Sequence, residues 1–284
     1  MKILVLGGGV IGVTTACFLS RDGHEITVIE REALVADGTS FANAGLISPG
    51  HAFSWARPGA PAMLLRSLWR GGTGLRLRPR LDPKMWSWGL KFLAQCREDR
   101  ARANSLGKLR ISLYSQQVMG DLVAQTGIAF DHLRAGILYL NRDAAALERS
   151  IAEMELLVDN GVKMEVLNAA GCARIEPALA HLGAELAGAV YCPEDEHGDC
   201  NMFTRALAGR AADAGVEFQF NTTIEAVADE GTPIFGHGRH ENLWFNTGHG
   251  SMGWTMACGS AQVTADLIAG RKVAIDLAGM QLAS

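Results

Sequence analysis

The start of the chain constrains it more than any other stretch. Lys2 to Leu6 is a short apolar run of the kind a buried parallel strand needs. Gly7-Gly8-Gly9-Val10-Ile11-Gly12 follows at once and fits G-x-G-x-x-G through Gly7, Gly9 and Gly12. Val13 to Asp22 then reads as a helix that stops at Gly23, and His24 to Glu30 reads as a second strand ending on an acid. Each piece has a physical task. Gly7 permits the tight turn, Gly9 leaves out the side chain that would block a pyrophosphate, and Gly12 lets helix and strand pack closely. The helix N-terminus offers free N–H groups and the positive end of its dipole to phosphates. Glu30, 18 residues after Gly12, can accept hydrogen bonds from ribose hydroxyls. A lone motif of this kind is weak. The strand before it, the helix after it and the spaced acid favour a dinucleotide site over a glycine-rich turn in an unrelated α/β protein, and over a solvated acid at a strand end.

Composition narrows the field further. Of 284 residues, 48% are hydrophobic and 20% charged, which allows one large core or two smaller ones and excludes wholesale disorder. A net charge of −4 argues against a nucleic-acid binder with a basic surface. The cysteines, Cys17, Cys96, Cys172, Cys192, Cys200 and Cys258, form no C-x-x-C pair. They read as small buried hydrophobes of a reducing, cytoplasmic compartment, not as a secreted disulfide framework or a zinc site. His197, His237, His240 and His249 have no ligand spacing, so no metal is expected. No apolar run reaches the ~18–20 residues of a membrane span. Three consecutive glycines split the apolar N-terminus, which would otherwise look like a signal peptide.

Two further segments bear on the cofactor. Residues 38–50 are small and polar, which lets backbone approach a flat ring, although a plain surface loop has the same composition. Near the other end, Leu243-Trp244-Phe245 reads as a strand, Asn246 to Gly259 as a glycine-rich turn, and Gly253 to Ala269 as a helix closing at Gly270. This is a second strand, turn and helix whose N-terminus can meet an electron-rich atom. Taken together, GGGVIG with Glu30, FANAGLISPGH from Phe41 to His51, PEDEHGDCNMFTRALA from Pro193 to Ala208, GTPIFG, and NLWFNTGHGSMGWTMACGSAQVTADLIAGRK ending at Lys272 resemble the FAD-dependent D-amino-acid dehydrogenases of the small-subunit type, within the wider glycine oxidase and sarcosine oxidase-like flavoenzymes.

The resemblance spans nearly the whole chain and carries expectations. The fold is α/β: an FAD-binding Rossmann-like (glutathione reductase-type) domain with an inserted α+β substrate domain, incomplete here. FAD would lie extended, its pyrophosphate over Gly7, Gly9, Val10, Ile11 and Gly12 and its ribose at Glu30 and Arg31. Its ring would touch Ser40, Ala42, Asn43, Ala44, Gly45 and Leu46 on one side and Thr247, Gly248, His249, Gly250, Gly253, Trp254 and Thr255 on the other. The implied reaction moves a hydride from the Cα of a D-amino acid to flavin N5, and the imine then hydrolyses to a 2-oxo acid and ammonia. Electrons would pass to a quinone or another acceptor. An oxidase using oxygen directly, as in glycine and sarcosine oxidases, is the alternative within the class. Such chemistry asks for positioning of a Cα–H and a neutral amine more than for acid–base side chains, so no catalytic residue is assigned. The planar fork of an Arg suits the substrate carboxylate. Arg142 and Arg239 are candidates, an ordinary surface Arg being the plainer reading of each. His249 either faces the flavin or spaces the turn.

The rest of the chain divides into regions. Residues 51–91 carry eight Lys or Arg against the single acid Asp82, a charge of +7 where the remainder carries −11. Trp55, Trp69, Trp86 and Trp88 are interleaved with those charges. Such a segment suits peripheral contact with the cytoplasmic face of an anionic membrane, or an Arg-rich solvated loop with its tryptophans in the core. Residues 85–126 and 143–160 read as helices. Gly136–Leu140, Val162–Val166 and Leu186–Cys192 read as strands. Asp199 to Ala214 reads as a helix, followed by strands at Val216–Phe220 and Thr222–Ala228. Residues 1–50 with 193–284 are expected to form the FAD-binding domain, and 51–192 the substrate domain. After Asp229-Glu230 the chain passes straight to Gly231-Thr232-Pro233-Ile234, where the resembled family has a long further stretch. A chain shortened there would leave apolar faces bare and sheet edges unpaired. An inactive, internally deleted flavin-binding remnant is therefore the reading from another class.

Overall fold

The structure, a computed structural model, describes residues 1–69, 82–224, 234–237 and 243–280. It opens with β1 (Lys2–Leu6), α1 (Val10–Arg21) and β2 (Glu25–Ile29), the two strands parallel and in register from Lys2 opposite Glu25 to Leu6 opposite Ile29. Gly7, at φ +102°, makes the turn that only glycine enters freely. A Cβ on Gly12 would stand 1.9 Å from the Gly7 carbonyl oxygen, so the helix lies this close to the strand because Gly12 has none. The helix begins at Val10, three residues before the expected start, because Gly9 caps it in an extended conformation.

The chain continues through β3 (Leu46–Ile47), α2 (Ala60–Trp69), α3 (Pro83–Gln95), α4 (Glu98–Thr126), β4 (Ile137–Asn141), α5 (Ala144–Val158), β5 (Glu165–Leu167) and α6 (Ala169–Ile175). Then come β6 (Gly188–Cys192), β7 (Glu196–His197), α7 (Cys200–Asp213), β8 (Glu217–Gln219), β9 (Ile234–His237), β10 (Trp244–Thr247) and α8 (Gly253–Ile268). A parallel sheet runs in the order β1-β2-β8, and an antiparallel sheet in the order β4-β6-β5. β3 pairs with β7 and β9 with β10, both antiparallel.

The main core lies between the parallel sheet and the helices α1, α7 and α8. It holds Val13, Phe18, Val28, Leu207 and Ala261. A second core, with Leu157 and Val190, lies under the antiparallel sheet. The long helix α4 reaches both, through Val118 and Leu122 in the first and Leu109 in the second. It meets α8 where a Cβ on Gly259 would come within 2.9 Å of the Ser115 backbone. All six cysteines are free and buried, as small core residues.

Several boundaries differ from the sequence expectation, each for a local reason. The helix expected over 85–126 is two helices, because Arg97 takes an extended conformation and caps α4. The strand expected at Val162–Val166 is shifted to β5: Gly161, at φ +104°, and the Val162 N–H bonded to the Leu157 carbonyl close α5 first. The strand expected from Thr222 does not form over 222–224. Asn221, at φ +56°, turns the chain so that its own N–H and that of Thr222 bond to the carbonyls of Glu32 and Glu30. Residues 225–228 lie outside the described residues. The strand expected at Leu243–Phe245 runs instead over β10.

Among the described residues, β1 pairs only with β2, at the end of its sheet. Parallel sheets are ordinarily covered on both faces. Here Leu4 and Leu6 of β1 are 54% and 44% exposed.

Candidate functional site

The N-terminus of α1 opens onto a cavity of about 450 Å³, within the range of small-molecule sites. Gly7 and Gly9 line one part, Glu30, Arg31 and Glu32 another, and Ser40 and residues 222–224 complete the wall. The first-turn N–H groups of α1 have no acceptor within the helix. That of Val10 donates to the Ser40 hydroxyl at 3.0 Å. A Cβ on Gly9 would stand in ordinary van der Waals contact with Ser40 Oγ, 3.4 Å away. The cradle is therefore formed by what Gly9 lacks. Glu30 turns its carboxylate back on the chain: Oε2 accepts the Gly8 N–H at 2.5 Å and Oε1 the Glu32 N–H at 2.9 Å. Each oxygen keeps a lone pair for an outside hydroxyl. Arg31 is exposed and pairs with Glu32 at 3.1 Å. These features fit the phosphates and ribose of a dinucleotide.

The loop after Ser40 runs toward the second glycine-rich unit. Ala42, Asn43 and Ala44 are exposed, and the Asn43 side chain accepts the Gly45 N–H at 2.9 Å. Gly45, at φ +69°, exchanges backbone contact with Gly198, whose N–H donates to the Gly45 carbonyl at 3.0 Å. Thr255, in the first turn of α8, donates to the Leu46 carbonyl at 3.1 Å and accepts the Ser48 N–H at 3.4 Å. Ahead of α8, Gly248 and Gly250 both take left-handed backbone, with the buried His249 between them. Asn246 of β10 donates to Thr15 of α1 at 2.8 Å. The loop over 40–48 is thus hydrogen-bonded to the first turns of both α1 and α8. The Trp254 side chain, by contrast, packs against Phe130 and Phe203 in the core, and its indole N–H finds no partner. Arg142 is exposed just past β4. Arg239 lies outside the described residues.

A buried polar cluster fixes the far end of the same loop. Asp195, 2% exposed, accepts the Ser48 hydroxyl at 2.5 Å, the Tyr139 hydroxyl at 2.9 Å and the Gly50 N–H at 3.0 Å. Burial pushes its carboxyl above the usual carboxylate range, against the pull of these three donors. Burial, then the nearby Asp195, raises the Tyr139 hydroxyl well above its ordinary range. The same causes push the Cys192 thiol up to about 12. Through its hydrogen bonds the cluster holds geometry. It ties residues 48–50 to β4 and walls a second cavity of about 390 Å³, lined also by His51, Arg57, Met63 and Phe92. The His51 ring lies parallel to that of Tyr139, 6.0 Å away. Sequence reasoning missed this cluster. Ser48 and Asp195 stand 147 residues apart and share no spacing pattern; only their place inside two of the stretches quoted above marked them. Among the described residues, no three His, Cys, Asp or Glu side chains are placed to hold a metal.

The family profile described as FAD dependent oxidoreductase matches residues 2–232 and again 226–267. The two matches meet at 226–232, where the chain was expected to be shortened. A D-amino acid dehydrogenase of Paramagnetospirillum magneticum is 43% identical over 237 residues, 83% of this chain and 56% of that protein. The chain thus spans little more than half the length of that relative in this alignment. D-amino acid dehydrogenase 2 of Mesorhizobium japonicum is 31% identical over 412 positions, 99% of both chains. Since this chain has 284 residues, well over a hundred positions of that relative have no counterpart. Among solved structures, glycine oxidase from Geobacillus kaustophilus superposes with a TM-score of 0.69 at 15% identity, covering 99% of this chain and 97% of that one. This likeness speaks for the fold.

Proposed function

The chain belongs to the FAD-dependent oxidoreductase family, and from that premise we propose that it oxidatively deaminates D-amino acids to 2-oxo acids and ammonia. The observation that carries the reading is the loop over 40–48, bonded at Ser40 to the first turn of α1 and at Leu46 and Ser48 to the first turn of α8. That loop links two glycine-rich bends that lie more than two hundred residues apart in sequence. Bound FAD supplies the hydride acceptor for the substrate Cα. Gly7, Gly9 and the first-turn backbone of Val10, Ile11 and Gly12 would hold its phosphates, with Glu30 and Arg31 at the ribose. Backbone of Ser40 to Leu46 and of Thr247 to Thr255 would border its ring. The N-terminus of α8 would favour negative charge there. Asp195, Tyr139 and Ser48 position the loop. Residues 1–50 with 193–284 would form the FAD-binding part and 51–192 the substrate part.

The electron acceptor in this reading is a quinone or another non-oxygen acceptor. The protein is cytoplasmic and meets the membrane peripherally through residues 51–91. Adding D-alanine to the purified, yellow protein without air should bleach the flavin. Failure to bleach, with FAD bound, would overturn the reading. Oxygen uptake with release of hydrogen peroxide would move it to the oxidases. A second reading, a flavin-binding remnant without turnover, is favoured by the bare β1 face and the missing positions. In this reading the missing stretch would carry part of the substrate-carboxylate recognition.

A further inference from the structure

The second cavity, of about 390 Å³, is a chamber that the flavin cradle does not use. Trp55, Met63, Leu64, Phe92, Met154 and Val190 give it a largely apolar wall. His51, also in the wall, stands three residues after Ser48, which Thr255 and Asp195 hold in place. The cavity thus begins where the loop that borders the second glycine-rich unit ends. The Arg57 guanidinium in its wall is committed to Glu153 at 2.8 Å, so those two charges cancel.

Near His51 stands a cation with no such partner. Lys108 of α4 is half-buried, and among the described residues it makes no hydrogen bond or ion pair. Every other cation among the described side chains is exposed or, as with Arg57 and Arg110, paired. The neighbours of Lys108 on α4 place it beside the chain that follows Ser48. Ser105, three residues earlier, accepts the Ser54 N–H at 2.9 Å. Leu109 packs with Ala52 and Val190 in the second core. Burial lowers the pKa of the His51 ring most; Lys108 and Arg57 lower it further, against the pull of Asp195. The Lys108 charge is therefore felt at the cavity wall. Burial also holds the Lys108 ammonium below its usual range. A partly buried, unpaired charge is costly until something of opposite sign meets it.

An apolar chamber with one uncompensated cation at its edge fits a molecule with a carboxylate at one end and an apolar body at the other. Arg142, the cation that the sequence offered for a carboxylate, is exposed past β4 and is absent from this wall. We propose that Lys108 binds the substrate carboxylate beside His51, and that the cavity receives a large apolar side chain, so that amino acids of the D-leucine kind are preferred. This names the substrate class of the proposed deamination and rests on that reading for the chemistry, though not for the binding.

The test uses 4-methylpentanoate, which has the side chain and carboxylate of leucine but no amine to oxidise. Calorimetric titration of the full chain should show binding, with the uncharged 4-methylpentanamide on the order of tenfold weaker or more. Lys108→Met should weaken the acid by roughly 10- to 100-fold and leave the amide unchanged. Its thermal melt should be equal or higher, because an unpaired cation gives way to an apolar chain of like length. Lys108→Arg should keep most of the affinity. Met63→Ser, on the open side of the wall, should weaken acid and amide alike. In anaerobic bleaching, D-leucine should reach half its limiting rate at a concentration on the order of tenfold below that of D-alanine. Lys108→Met should raise that concentration more than it lowers the limiting rate. Four results would overturn the inference: no binding of the acid, equal binding of acid and amide, unchanged binding of the acid by Lys108→Met, or a preference for D-alanine over D-leucine. Binding of the acid that depends on Lys108, in a chain that neither amino acid bleaches with FAD bound, would sink the proposed deamination and leave this site standing. Bleaching by both amino acids with acid binding indifferent to Lys108 would do the opposite.

Discussion

Replacing Gly9 with leucine separates cofactor binding from folding. The Gly9 backbone, at φ −75° and ψ 178°, is open to any residue, and an added Cβ meets only Ser40 Oγ at 3.4 Å. Loss of glycine from the cap position costs about 0.5–1 kcal/mol at most. In a chain of this size that is a fall of about 1–4 °C in Tm. The leucine branch would project into the cavity of about 450 Å³, over the first-turn N–H groups of α1. Two hydrogen bonds to phosphate, at about 1.5–3 kcal/mol each, would be lost. The expected weakening of FAD is then on the order of 10²–10⁴ in Kd. A fluorescence titration of the flavin-free chain with FAD, beside a thermal melt, reads both quantities. Gly9→Ala, a smaller intrusion, should fall between. Gly12→Ala should behave in the opposite way, melting far below the unaltered chain, because its methyl would meet the Gly7 carbonyl 1.9 Å away. A Gly9→Leu chain that folds and binds FAD as tightly as the unaltered one would refute the docking of phosphates at this turn.

Three further outcomes are expected. Gly259→Val should push α8 from α4, since its Cβ would stand 2.9 Å from the Ser115 backbone; a loss of about 1–3 kcal/mol should appear in urea unfolding. For Asp195 the sign is set by burial, which raises the folded-state pKa above the unfolded one. Its stabilising contribution is therefore full below the unfolded value and is lost as pH rises through the folded value. Against Asp195→Asn, which does not titrate, the advantage of the unaltered chain should shrink over that rise; an advantage that grows with pH would contradict the assignment. Finally, Leu4→Thr with Leu6→Thr should lower binding of an apolar dye such as ANS while changing stability by less than about 0.5 kcal/mol.

The first three elements were legible because their signals are local. A short apolar run, three spaced glycines and a terminal acid fixed β1, the turn, α1 and β2, and the glycine pattern before α8 worked in the same way. The break between α3 and α4 was not legible. Residues 85–126 keep an apolar helical rhythm through Cys96 and Arg97, and no proline or glycine marks the extended residue at 97. Nor did the sequence announce that Glu30 would turn its carboxylate onto the N–H groups of Gly8 and Glu32. The Asp195 cluster was hidden for a different reason: its members come from a loop, a strand and a turn that only the folded chain brings within hydrogen-bond reach. The side chain of Trp254 was not legible either. Its place in the glycine-rich turn suggested the ring site, but its helical position turns the indole toward Phe130 and Phe203.

Titration of the flavin-free chain with FAD measures the junction of the two bends most directly. Saturation at one FAD per chain, lost alike when Gly9 becomes leucine and when Thr255 becomes valine and frees the loop at Leu46, is the predicted result. Flavin that stays unbound at every protein concentration, or binding indifferent to both changes, would show that no shared site exists.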